Sequence, residues 1–165
     1  MSRLYLVRHG QAAGSWDGDL DPGLSDVGRS QAEALTETMP GPLPLVVSPL
    51  RRTRETALPL ERHFGISARV EPRVGEIATP DGIGLADRGS WLRDLMGLQW
   101  PELSSGLQAW RQGVLDALSE LRRDTVVVTH YIAINVAVGA VTGDDRVVHT
   151  APENASVTVI DGLSG

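Results

Sequence analysis

Apolar and polar positions along the chain fall into short runs that predict alternating strands and helices. Residues 4–7 (LYLV) form a continuous apolar run ended by Arg8-His9-Gly10, which reads as a buried strand. Residues 17–24 are rich in Gly, Asp and Pro and read as a loop. Ser25 then caps a helix expected to reach about Met39, with Val27, Ala34, Leu35 and Met39 on one face, and Pro40-Gly41-Pro42 stops it. Residues 43–47 read as a second strand. A helix follows from about Leu50, with Thr53, Ala57 and Phe64 at helical spacing and Pro59 expected to kink or shorten it. Residues 66–70 are a third, weaker strand, and residues 71–88 read as one long loop, a length that often marks function. Trp91, Leu92, Leu95 and Met96 make a short apolar helical face; Leu107, Trp110, Val114, Leu118 and Leu121 make a longer one. Residues 125–129 (TVVVT) are β-branched throughout and give the clearest strand. Residues 131–141 are apolar on all sides and predict a buried helix, and residues 156–160 alternate and close the sheet.

The order β-α-β-α-β-(loop, α, α)-β-α-β predicts an α/β fold in three layers: an open, mostly parallel sheet with helices on both faces. The pattern leaves open whether the last strand runs antiparallel at an edge. A chain of 165 residues without internal repeats fits a single domain over residues 1–165.

Charge and composition narrow the chemistry. The net charge of −6 argues against a nucleic-acid surface, which needs a basic face. Cysteine is absent, which removes disulfides, zinc–thiolate sites and a catalytic thiol. The four histidines are scattered without paired metal-ligand spacing, so no metal site is expected. No signal-like segment precedes the first strand, and the apolar run 131–141 is too short to span a bilayer. A soluble, cytoplasmic protein without a membrane partner is the expectation. The arginines, in contrast, cluster: Arg51, Arg52 and Arg54 lie together and Arg8 precedes His9, which suits a small anionic ligand.

In open α/β sheets, ligands bind beyond the carboxyl ends of the strands. The first strand delivers Arg8 and His9 there. The second delivers Ser48, with Arg51 and Arg52 at the next helix start. The third leads to Glu76, and the fourth delivers Thr129 and His130. This set suits phosphoryl transfer. Arginine forks grip phosphoryl oxygens, a neutral imidazole attacks phosphorus, and a carboxylic acid protonates the leaving oxygen. The attacking imidazole needs one bare nitrogen, so its other nitrogen should be held by a hydrogen bond, with a backbone carbonyl as the expected partner. No Gly-x-Ser-x-Gly elbow offers a rival nucleophile.

These residues resemble a known family. Leu6-Val7-Arg8-His9-Gly10-Gln11 is similar to the signature of the histidine phosphatase superfamily, with its phosphoglycerate-mutase-like fold. The segment from Leu24 to Ala32 resembles its first helix, and Ser48-Pro49-Leu50-Arg51-Arg52-Thr53-Arg54-Glu55-Thr56-Ala57 its second motif. Val74-Gly75-Glu76-Ile77 resembles the segment of its proton donor, Val128-Thr129-His130 its second histidine, and Asn154-Ala155-Ser156-Val157 its closing strand. The resemblance implies that His9 is phosphorylated, that Arg8, Arg52 and His130 hold the phosphoryl group, and that Glu76 is the proton donor. It implies no cofactor. It also places Gln11 and Ser15 on the substrate, Ser15 standing where many members carry a phosphate-contacting asparagine. A second departure is Tyr131, where the family often has glycine, and residues 84–122 leave little material for a large lid.

The implied activity is metal-independent hydrolysis of a phosphate monoester, on a small phosphorylated molecule or a phosphoprotein. The alternatives are a phosphoglycerate-type mutase and a non-catalytic phosphate-binding protein on the same fold. Asp81 and Asp87 rival Glu76 as the acid, and Arg51 rivals Arg52. His63 reads as a helix-end charge and His149 as a structural side chain near the pocket. Trp16 is the tryptophan best placed to touch a substrate. Arg88 and Arg93 are candidates for an anionic substrate tail, set against a solvated surface. Neither the substrate nor the oligomeric state is legible.

Overall fold

The computed structural model describes residues 2–14 and 20–163. Five strands form one sheet in the order β3-β2-β4-β1-β5. The strands are β1 (Arg3–Arg8), β2 (Leu45–Val47), β3 (Arg69–Val70), β4 (Thr125–Thr129) and β5 (Val157–Asp161). β1, β2 and β4 are parallel neighbours, β3 pairs parallel to β2, and β5 runs antiparallel along β1 at the edge. The helices are α1 (Asp26–Thr38), α2 (Arg51–Phe64), α3 (Leu85–Leu95), α4 (Ser105–Ser119) and α5 (Tyr131–Thr142). Among the described residues no helix is long and apolar enough to cross a membrane.

Strand alternation divides the core in two. Val7, Leu45, Val47, Val126 and Val128 face Leu35, Met39, Ala57 and Leu60 of the α1–α2 layer. Leu4, Leu6, Val46 and Val127 face the other way, toward Leu92 of α3, Val114 and Leu118 of α4, and Ile132 and Val136 of α5. Side chains one residue apart on a strand point to opposite faces, so three strands of mostly apolar residues supply both layers.

Four sequence expectations need correction. The buried stripe of α1 is Gly28, Ala32 and Leu35, continued by Met39, whereas Val27 is 55% exposed and Ala34 is also exposed. Small residues choose this face, because the helix backbone presses on the loop after β1. A Cβ on Gly28 would collide with the Gln11 carbonyl, and one on Gly10 would lie 2.6 Å from the Gly28 carbonyl oxygen. Pro59 does not end α2, which continues to Phe64. Its neighbours Ala57 and Leu60 are fully buried, and their packing offsets the lost backbone hydrogen bond. The segment 71–88 is not all loop: Pro72–Val74 form a 3₁₀ turn and α3 already begins at Leu85. Finally, the second and third strands are shorter than expected, starting only at Leu45 and Arg69.

Candidate active site

β2, β4 and β1 lie side by side and end at the same edge, so Ser48, His130 and His9 meet there. Backbone bonds continue the ladder past the strand ends: the His9 N–H donates to the Thr129 carbonyl and the Ser48 N–H to the Val128 carbonyl, each at 3.2 Å. The Gly10 N–H donates to Thr56 Oγ1 at 2.9 Å, and Thr56 donates to the Arg52 carbonyl at 2.7 Å. That pair fixes α2, and with it Arg52, relative to His9. Asn154 closes the other side, its Nδ2 donating to the His9 carbonyl at 3.1 Å.

His9 is 7% exposed. Its Nδ1 lies 2.8 Å from the Gly10 carbonyl, which only accepts, so Nδ1 carries the proton. Nε2 is then a bare lone pair, and the Arg52 Nε–H points at it from 3.3 Å. The backbone carbonyl expected for this role is therefore that of Gly10. Burial, and then neighbouring His130, push the His9 pKa down to about 3. The ring is neutral at pH 7.

Arg52 is the arginine that faces inward. It is 5% exposed, and its Nη2 donates to Glu76 Oε2 at 3.0 Å and approaches His130 Nδ1 at 3.5 Å. Arg51 turns outward, its side chain 55% exposed and paired with Glu55 at 2.7 Å. Of the four carboxylates in the segment after β3, Glu76 is the one brought to the histidines; Glu71 pairs with Arg73, and Asp81 and Asp87 are exposed. Its placement follows from the 3₁₀ turn, which Thr129 anchors by donating from Oγ1 to the Val74 carbonyl. Glu71 ties down the turn's other end through Arg73 at 2.8 Å, and that guanidinium holds the Glu71 carboxyl at a pKa of about 2.

His130 is fully buried, with its pKa well below the ordinary value because of burial and then the charges of Arg52, Arg88 and Arg8. Its Nε2 lies 2.8 Å from Ser48 Oγ, which lies 2.8 Å from Thr53 Oγ1. Thr53 can give its own hydrogen to a carbonyl, that of Leu50 at 2.8 Å or Ser48 at 3.0 Å. Ser48 is therefore free to donate to Thr53 or to His130. His130 in turn can present either a lone pair or an N–H at Nδ1 without stranding a buried group. Sequence reasoning placed Ser48 at the strand end but missed this hydroxyl pair, whose signal is the Ser-x₄-Thr spacing across the start of α2.

Arg8 is half-buried above the Tyr131 ring, 5.1 Å from its centroid, and donates to the Pro152 carbonyl at 3.0 Å. Among the described residues no carboxylate forms an ion pair with it. Tyr131, at the family's glycine position, thus serves as a platform for Arg8. Gln11 is exposed and its Oε1 accepts from Ser25 Oγ at 2.8 Å, leaving its NH₂ for other partners. Ser15 and Trp16 lie outside the described residues. His149 is structural: its Nε2 lies 3.1 Å from the Asn135 carbonyl. His63 sits in the last turn of α2, as expected. Among the described residues no group of three or more His, Asp or Glu side chains is arranged to hold a metal ion.

The buried imidazole has a consequence for stability. The folded-state pKa of His9, about 3, lies below its ordinary value of 6.5. Protonation therefore favours the unfolded chain, and stability present above pH 6.5 is lost as pH falls toward 3. His9 alone is expected to account for about 2 kcal/mol of the loss between pH 7 and pH 5. Urea midpoints of wild type and His9→Asn at those two pH values check this. Identical pH dependence in the two proteins would remove His9 as the cause.

Comparison with known proteins places this geometry. A glucosyl-3-phosphoglycerate phosphatase from Mycobacterium tuberculosis is 42% identical over 89 residues, a match spanning 50% of this chain and 40% of that protein. A probable phosphoglycerate mutase from Erwinia tasmaniensis is 29% identical over 165 residues, covering 87% of this chain and 76% of the relative. Among solved structures, a mycobacterial glucosyl-3-phosphoglycerate phosphatase in complex with VO₃ superposes with a TM-score of 0.73 at 28% identity, over 98% of this chain and 92% of the other. A phosphoglycerate mutase from Thermus thermophilus does so with a TM-score of 0.64 at 26% identity, over 96% and 92%. The sequence pattern of one superfamily matches residues 4–164, a span holding His9, His130, Arg8, Arg52 and Glu76: the chain belongs to the histidine phosphatase superfamily, branch 1.

Proposed function

We propose that this chain hydrolyses the phosphate monoester of a small organic molecule through a phosphohistidine at His9. The observation that carries the reading is the unprotonated Nε2 of His9, its tautomer set by the Gly10 carbonyl, with the Arg52 Nε–H at 3.3 Å and the His130 ring centroid at 5.3 Å from its own. In the first step Nε2 forms the N–P bond as the ester P–O bond breaks, and Glu76 protonates the departing oxygen. In the second, water attacks phosphorus, Glu76 takes its proton, and His9 leaves. Arg8, Arg52 and His130 hold the three phosphoryl oxygens while their charge redistributes. The names of the relatives support a small-molecule substrate over a phosphoprotein.

Glu76 lies on Arg52 at 3.0 Å, where an incoming phosphoryl oxygen would also bind. The dianion therefore competes with this carboxylate for the Arg52 guanidinium. An alkoxide leaves poorly and needs a proton, whereas nitrophenolate does not. Glu76→Gln is expected to lose about 100-fold in kcat/KM on an alkyl phosphate and far less on nitrophenyl phosphate. Equal losses on both would move Glu76 to binding or to water activation. The same assay run on a phosphoglycerate distinguishes the reactions: free phosphate supports hydrolysis, and isomerisation without release supports the mutase.

A further inference from the structure

The phosphoryl-holding groups leave unexplained an open cavity of about 410 Å³ beside them, within the size range of small-molecule sites. Glu76 lies on its wall, so the cavity adjoins the place where the leaving oxygen would be protonated. Leu50, Ile77, Ile83 and Leu85 line it with hydrocarbon. One cation, Arg88, stands among them. Arg88 follows Leu85 by one turn of α3, so the two share a helix face. It is half-buried, and among the described residues it makes no ion pair or hydrogen bond. Glu76, the acid on the same wall, is taken by Arg52 at 3.0 Å. The positive charge of Arg88 reaches His130 and helps hold that ring neutral. Glu76 and Arg88 share this lining, so one small molecule in the cavity can reach both.

Among the described residues no anion meets this partly desolvated guanidinium on its apolar wall, and a ligand carboxylate would pair with it. We propose that this cavity is the leaving-group subsite and that it takes an apolar organic group bearing a carboxylate, which Arg88 pairs. The proposal rests on the phosphatase reading for the role of the group bound, but not for the binding itself.

The test compares para-(carboxymethyl)phenyl phosphate with its uncharged amide, together with the matching non-hydrolysable benzylic phosphonates. The remote methylene keeps the two leaving groups alike in acidity. Wild type is expected to favour the acid over the amide about tenfold in kcat/KM, and the acid phosphonate about tenfold in Kd by calorimetry. Arg88→Gln should bring both ratios to about one, while Arg93→Gln, exposed on the same helix, should keep them. Equal handling of acid and amide by wild type overturns the subsite, as does a preference that survives Arg88→Gln. A phosphonate preference without turnover of either ester would support the subsite and sink the phosphatase reading instead.

Discussion

His9→Ala is expected to lower kcat on a phosphate monoester about 10⁴-fold, a barrier increase of about 5.4 kcal/mol. The size follows from the absence of a substitute. The chain has no cysteine, Ser48 Oγ is buried between His130 and Thr53, and the His130 Nε2 is occupied by Ser48. The His9 Nε2 carries a lone pair met only by the Arg52 Nε–H among the described residues, and a pKa near 3 keeps it unprotonated at neutral pH. The substitution leaves the Gly10 carbonyl and the Arg52 Nε–H without a partner, at a cost of about 1–3 kcal/mol each. A melting curve should therefore accompany the rate. Quenching wild-type turnover into base is expected to trap a base-stable, acid-labile phosphoryl group on the peptide containing His9. Label on the His130 peptide, or near-normal turnover by His9→Ala, would refute the assignment.

Arg52→Ala should cost about 10³-fold in kcat/KM, while Arg51→Ala changes it less than about threefold. Consecutive helix residues point about 100° apart, so only one of the two can face the site. Arg52 touches His9, Glu76 and His130 at once, whereas Arg51 pairs with Glu55 at the surface. Part of the loss is indirect. Without Arg52 the Glu76 carboxylate, whose side chain is 9% exposed, is left buried without that cation, which is destabilising in itself. Arg52→Lys separates the two effects: an ammonium restores charge beside Glu76 but not the fork, so it should recover stability and little activity. If Arg51→Ala proves the more damaging change, Arg51 and not Arg52 grips the phosphoryl group.

The parts of the site readable in the sequence were those carried by strand ends. Parallel strands put their carboxyl ends on one edge whatever the details, so Arg8, His9, Ser48 and His130 converge by topology alone. The resemblance then singled out Arg52 over Arg51 and Glu76 over its neighbours. The misread elements depend on contacts between distant residues. Hydrophobicity nominated Val27 for the core face of α1, but the helix is seated by Gly28, which lets two backbones touch. Pro59 reads locally as a kink or an early end, yet α2 runs to Phe64 with Ala57 and Leu60 buried. The Ser48–Thr53 hydroxyl pair and the Asn154 clamp on His9 span loops whose course no periodicity encodes.

The sheet order has a consequence for biosynthesis. β1 carries the proposed nucleophile at its end, yet among the described strands it pairs with β4 and β5, the last two of the five in chain order. Leu4 meets Thr125 and Ile160. At about 5–20 residues per second, the ribosome takes roughly 6–24 s to bring β4 out after β1. Throughout that interval the apolar strand Leu4-Tyr5-Leu6-Val7 has no sheet to join. Nascent chains are thus most exposed to aggregation or chaperone capture at their first strand, and phosphate binding can appear only after nearly the whole sheet has closed.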